Sequence, residues 1–128
     1  MKKRVRNIVI LSFLIVLVIM ILSTGGKISG IIITDYTVTD DGSQMNLKVN
    51  IMSSMGFIRT TRTKNEGNKK FITFYSTYGF NSSLGAKSEF QIKLDPNCDE
   101  IYFYSGRDEY KLKLQKDKIT NKWNMVKY

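Results

Sequence analysis

Two hydrophobic periods divide this chain. Ile8 to Leu22 reads IVILSFLIVLVIMIL, interrupted only by Ser12, and lies within an uncharged run of twenty residues from Asn7 to Gly26. At about 1.5 Å per residue, a helix of twenty residues rises roughly 30 Å, the thickness of a bilayer's hydrocarbon core. The run is apolar on every face, whereas a helix packed on a soluble core keeps a polar side. After residue 26 the period becomes two. Met45, Leu47, Val49 and Ile51 alternate with Asn46, Lys48 and Asn50, the pattern of a half-buried strand. Ile31–Thr39 precedes it, rich in β-branched residues, and Asp40-Asp41-Gly42-Ser43 supplies the turn.

The same alternation recurs towards the C-terminus. Ser53-Ser54-Met55-Gly56 breaks the pattern and marks a bulge or a crossing between sheets. Phe57–Lys64 and Lys70–Tyr78 flank the turn Asn65-Glu66-Gly67-Asn68, and the second of these is apolar on both faces, as a central strand is. Phe80–Lys87 reads as a loop. Phe90, Ile92 and Leu94 alternate up to Asp95-Pro96-Asn97, while Ile101–Tyr104 and Tyr110, Leu112 and Leu114 flank Gly106-Arg107-Asp108. Trp123 and Val126 close the core as a short last strand. Seven or eight short strands at regular spacing predict an all-β fold, an immunoglobulin-like antiparallel sandwich preceded by one N-terminal transmembrane helix. The expected divisions are a basic N-terminus over 1–7, an anchor over 8–25, a linker over 26–30 and the β domain over 31–128. Cys98 is the single cysteine, so no internal disulfide can form and the likeness to antibody domains is one of architecture.

Charge gives the anchor a direction. Lys2, Lys3, Arg4 and Arg6 precede the apolar run and Lys27 is the first charge after it, so the N-terminus is expected in the cytoplasm and the β domain outside the cell membrane, in single-pass topology. A cleaved signal peptide has the same beginning, with an apolar region of about 7–15 residues. Ser23-Thr24-Gly25 offers small residues for its cleavage. The whole chain carries a net +9, but four of those charges flank the apolar run, and residues 27–128 hold sixteen Lys/Arg against eleven Asp/Glu. Nucleic acid is therefore not the expected partner. Anionic headgroups, an anionic cell-wall polymer or another envelope protein fit better.

Chemistry narrows the function further. The chain has no histidine, which removes Ser-His-Asp and Cys-His catalysis, ordinary zinc ligation and the usual general base near neutrality. No phosphate-cradling glycine motif and no spaced carboxylate pair is present, so no enzyme activity and no cofactor is expected. Asp95-x-Asn97-x-Asp99 opens like a calcium loop, but Glu100 stands where a glycine is needed and Gly106 where a bidentate glutamate belongs. Asp95, Asp99 and Glu100 are left as a looser metal candidate beside the plain reading of a polar turn. Arg59, Arg62, Lys64, Lys69 and Lys70 surround one predicted hairpin and are the candidate contacts for a polyanion, or else a solvated hairpin that discourages edge pairing. Tyr75, Tyr78 and Phe80 are a stacking platform for sugars or a part of the core. Asn81-Ser82-Ser83 matches a glycosylation sequon.

From Ser53-Ser54-Met55-Gly56-Phe57, through Phe74-Tyr75-Ser76-Thr77-Tyr78-Gly79 and Asn81-Ser82-Ser83-Leu84-Gly85-Ala86-Lys87, to EFQIKLDPNCDEIYFY, EYKLKLQKD and Trp123, the chain resembles a small membrane-anchored β module of Firmicutes, of clostridial type. It is similar to the extracytoplasmic tails of some proteins identified as BlaR/MecR-type sensors. The likeness spans roughly residues 31–123. It implies an anchored β module and transfers no site, since the HExxH and Ser-x-x-Lys motifs of the sensors' catalytic parts are missing here. The expected function is a membrane-anchored, non-enzymatic binding or interaction module. The alternative is a secreted ligand- or calcium-binding β domain released near residue 25.

Overall fold

The computed structural model describes every residue except 23, 53–55, 78–82 and 128, with backbone alone for 21, 22 and 24. The helix α1 spans Lys2–Leu22. Its side chains from Val5 to Met20 lie exposed on every face, Phe13 at 67% and Ile19 at 60% among them. Among the described residues no helix is long and apolar enough to cross a membrane. Sixteen uncharged helical residues, Asn7 to Leu22, rise about 24 Å, and any longer span within the helix takes in Arg6.

The expected span is shortened because its last part is a strand. Thr24–Ile28 forms β1, antiparallel to β5 (Lys69–Thr77), with Thr24 opposite Thr77 and Ile28 opposite Phe74. The segment read as the end of the anchor and a linker therefore belongs to the β fold. Gly25-Gly26 has little intrinsic preference for a strand. Its partner β5 supplies the structure, and a Cβ on Gly25 would collide with Ser76.

Among the described residues, nine strands in two sheets follow the helix. β2 (Ile31–Val38), β3 (Gln44–Ile51) and β6 (Glu89–Lys93) form the smaller sheet in the order β2-β3-β6. The larger sheet combines β4 (Ile58–Glu66), β5, β7 (Glu100–Gly106), β8 (Glu109–Lys116) and β9 (Trp123–Met125) with β1. On one side β5 pairs with β4. On the other it pairs with β7 through Lys69–Ile72 and with β1 through Phe74–Thr77. The β5–β7 pairing is parallel, a departure from the expected all-antiparallel sheets. It is possible because β6, in the other sheet, intervenes and returns the chain to the end from which β5 started. The chain also changes sheets between Ile51 and Ile58, where the sequence pattern breaks.

The core lies between the sheets. Met45, Leu47 and Val49 of β3 with Phe90 and Ile92 of β6 face Ile58, Ile72, Phe74, Ile101, Phe103 and Leu114. Phe74 joins both layers, its ring edge-on to Phe103 at 4.8 Å and to Phe90 at 5.8 Å. The Tyr36 hydroxyl of the smaller sheet donates to the Trp123 carbonyl of the larger at 2.7 Å. Arg107 and Asp108 both take positive φ (53° and 57°), so β7 and β8 meet in a two-residue turn of the primed type that matches strand twist.

Candidate functional site

Register decides what the larger sheet shows on its outer face. Directly opposed residues share a face. Lys64 stands opposite Phe71, Phe71 opposite Tyr102 and Tyr102 opposite Leu112, one row across four strands. A second row runs from Arg62 to Thr73, whose hydroxyl meets the Tyr110 hydroxyl at 2.8 Å, and Tyr110 stands opposite Tyr104. A third places Thr60 and Lys27 on either side of Tyr75. The opposite parity of these strands (Ile72, Phe74, Ile101, Phe103) is core.

The outer face is thus aromatic where an outward face is ordinarily polar. Phe71 stacks on Tyr102 at 5.1 Å and meets Tyr110 edge-on at 5.2 Å, and Tyr104 meets Tyr110 at 5.7 Å. All five rings, Tyr75 included, are half-buried. Cations lie over three of them: Lys27 over Tyr104 at 5.4 Å, Arg62 over Tyr75 at 5.3 Å and Lys69 over Tyr102 at 5.7 Å. Ring faces attract cations through their quadrupole. Lys27 also reaches Asp108 at 3.6 Å, an exposed contact that contributes little. Among the described residues Arg62 and Lys69 have no carboxylate partner.

The predicted polyanion cluster is only partly gathered here. Arg62, Lys64 and Lys69 share the outer face. Lys64 is ion-paired with Glu66 at 2.9 Å, and that hydrogen bond and charge raise its pKa. Lys70 falls on the parity of Ile72 and Phe74 and is 3% exposed. Arg59 sits within the register shift between Ile58 and Thr60, and its guanidinium lies close to Gly85. Five cations on one hairpin are therefore not one patch, because strand parity and a bulge separate them. Of the predicted stacking platform, Tyr75 faces outward, and Tyr78 and Phe80 lie outside the described residues.

The acidic candidates are dispersed. The Asp95 carbonyl caps a turn by accepting from Cys98 N–H at 2.9 Å, the Asp99 carbonyl accepts from Lys116 N–H at 2.8 Å, and the Glu100 carboxylate accepts from the Tyr102 hydroxyl at 2.9 Å. At the start of β7 the amides of Asp99 and Glu100 both reach the Asn68 carbonyl. Among the described residues no three His, Cys, Asp or Glu side chains are grouped to hold a metal ion. The same end of the sandwich has an open cleft of about 840 Å³ between the sheets, lined by Tyr36, Asp41, Leu94, Cys98, Lys116 and Trp123 among others. Two of its ionisable groups, Asp41 and Cys98, are constrained. Asp41 accepts from the Thr39 hydroxyl at 2.7 Å and from the Ser43 amide and hydroxyl at 3.0 and 2.8 Å, which holds its pKa at about 2. Cys98 is buried, and burial pushes its thiol up despite the nearby Lys70 charge, so it is no ready nucleophile.

Lys27, Tyr102, Tyr104 and Tyr110 were not among the residues singled out by the sequence. One signal was available. In Ile101-Tyr102-Phe103-Tyr104 the hydroxyl-bearing rings alternate with purely apolar residues, and a phenol prefers the wet face. The chain matches no protein-family model, no curated protein and no solved structure.

Proposed function

We propose that the chain is a membrane-anchored, non-enzymatic binding module that presents a β-sandwich outside the membrane to another component of the envelope. One observation carries the anchor: an apolar helix exposed on all faces runs, with one residue between, into the first strand of the domain. Side chains from Val5 to Ile19 are exposed, and burying them in hydrocarbon removes that cost. The sixteen uncharged residues reach about 24 Å, and the long stems of Arg4 and Arg6 extend the apolar reach by snorkelling to the interface. The basic residues at 2–6 favour an inside N-terminus. Release near residue 25 is disfavoured, since that cut would sever β1 beside its pairing with β5.

The sandwich is read as immunoglobulin-like, with the parallel β5–β7 pairing as its departure. The resemblance to anchored clostridial-type modules points to the same envelope setting. For binding rather than catalysis, the support is the missing histidine, the buried thiol and an outward face built of rings and cations. Membranes from cells expressing the chain provide the test. After carbonate washing the intact chain should remain in the pellet with its N-terminal peptides present, and added protease should reach the β domain in whole cells. Recovery of a soluble chain beginning near residue 25 overturns the anchor.

A further inference from the structure

We infer that the outer face of the larger sheet is a binding site for an anionic polysaccharide, a chain of sugar rings bearing phosphate. The inference rests on the reading of the chain as a binding module and not on the anchor. Both halves of such a ligand find a counterpart. Sugar rings present C–H groups that pack on aromatic faces. Here Tyr102, Tyr104 and Tyr110 are gathered half-exposed around Phe71, with Tyr75 on the same face and the Tyr110 hydroxyl beside them for polar contact. Anionic groups need cations that are not already neutralised, and Arg62 and Lys69 have no carboxylate partner among the described residues.

The cations are also spread, which selects among anions. Strand spacing is about 4.8 Å and alternate residues on one face lie about 6.8 Å apart. On that lattice Arg62 to Lys27 is roughly 12 Å, and Arg62 to Lys69 roughly 14 Å, at the backbone. Each cation is held over a different ring, so they do not form one compact phosphate pocket. A polymer that repeats its charge can engage all three while its sugars cover the rings between them. A neutral glycan would leave the cations bare, and a charged chain without rings would leave the aromatic band unused. The cations already hold the positions that matter, since each lies over a ring. A ligand phosphate beside such a cation brings its neighbouring sugar onto the adjacent ring.

The test uses the full chain held by a C-terminal tag in mild detergent, so it does not depend on whether α1 spans a bilayer. The probes are a glycosylated teichoic acid, long-chain polyphosphate and dextran, titrated at fixed ionic strength. The glycosylated polymer should bind about tenfold more tightly than either control. Tyr102→Ala and Arg62→Ala should each weaken it about tenfold, with Tyr102→Phe close to the parent. Lys69→Gln, a surface change that leaves the rings in place, serves if Tyr102→Ala lowers the melting temperature. Lys70→Gln, on the core side, should not alter affinity in folded protein. Equal binding of polyphosphate, no binding of the glycosylated polymer, or full affinity in the Arg62 and Lys69 variants would overturn the site. So would a change from dimer to monomer in those variants without any polymer effect, which would make the face a contact between copies.

Discussion

Gly25 of β1 lies so close against Ser76 of β5 that a Cβ at Gly25 would collide with the Ser76 hydroxyl and stand 2.7 Å from the Thr77 carbonyl. The neighbouring Gly26 has nothing within 4 Å of its would-be Cβ. The two glycines of one strand therefore have different duties. Gly25→Ala should cost about 1–3 kcal/mol through forced separation of β1 from β5, and Gly26→Ala should change stability by less than about 0.5 kcal/mol. Urea unfolding followed by tryptophan fluorescence measures both. Equal effects would mean that β1 does not pack on β5.

Tyr36 ties the sheets together at a distance of 87 residues in sequence. Tyr36→Phe retains the ring and removes only the hydroxyl that reaches the Trp123 carbonyl. A loss of about 0.5–1.5 kcal/mol is expected, with altered Trp123 emission in the folded state.

Leu47 has no exposure in the core, and Asn46, its neighbour in β3, is half-exposed on the other parity. Leu47→Ala should cost about 2–5 kcal/mol. Asn46→Ala should stay within about 0.5 kcal/mol. Thermal unfolding of the two variants reads the register of β3 directly.

Asp41 makes the β2–β3 turn sensitive to acid. Its carboxyl titrates at about 2 instead of 3.8 because of hydrogen bonds from Thr39 first and Ser43 second. A carboxyl with a depressed pKa binds protons more weakly folded than unfolded, so its stabilisation is whole above 3.8 and is lost as pH falls towards about 2. Carbon-detected NMR should find the Asp41 midpoint near 2, and Thr39→Ala should move it upward.

Residues whose partners are near in sequence were the legible ones. Met45, Leu47 and Val49 alternate so cleanly with Asn46, Lys48 and Asn50 that β3 and its buried face follow from the order alone. Asn65-Glu66-Gly67-Asn68 likewise marks its hairpin, and the apolar residues on both parities of β5 mark a central strand. Lys70 was misread because a cluster was counted along the chain, although its parity with Ile72 and Phe74 puts it inward. β1 was illegible: Gly25-Gly26 is strand only because β5 holds it from the far side of the domain. The aromatic band was legible in pieces. Phe71 and Tyr75 share a parity within β5, but the meeting of Phe71 with Tyr102 and Tyr110 depends on the parallel β5–β7 pairing and on bulges in β7–β8 that no local pattern announces.

The pairing of Thr24 with Thr77 sets an order of events as the chain is made. β1 leaves the ribosome about fifty residues before the half of β5 it pairs with, and still longer before β7, which fills the other half of the same side. For that interval its amides have only water for partners, and closing a loop of such length is slow compared with forming the β4–β5 hairpin. The hairpin therefore forms first and presents an open flank. The first strand synthesised is among the last to be fastened, and the junction between helix and domain tightens only when the remainder has folded.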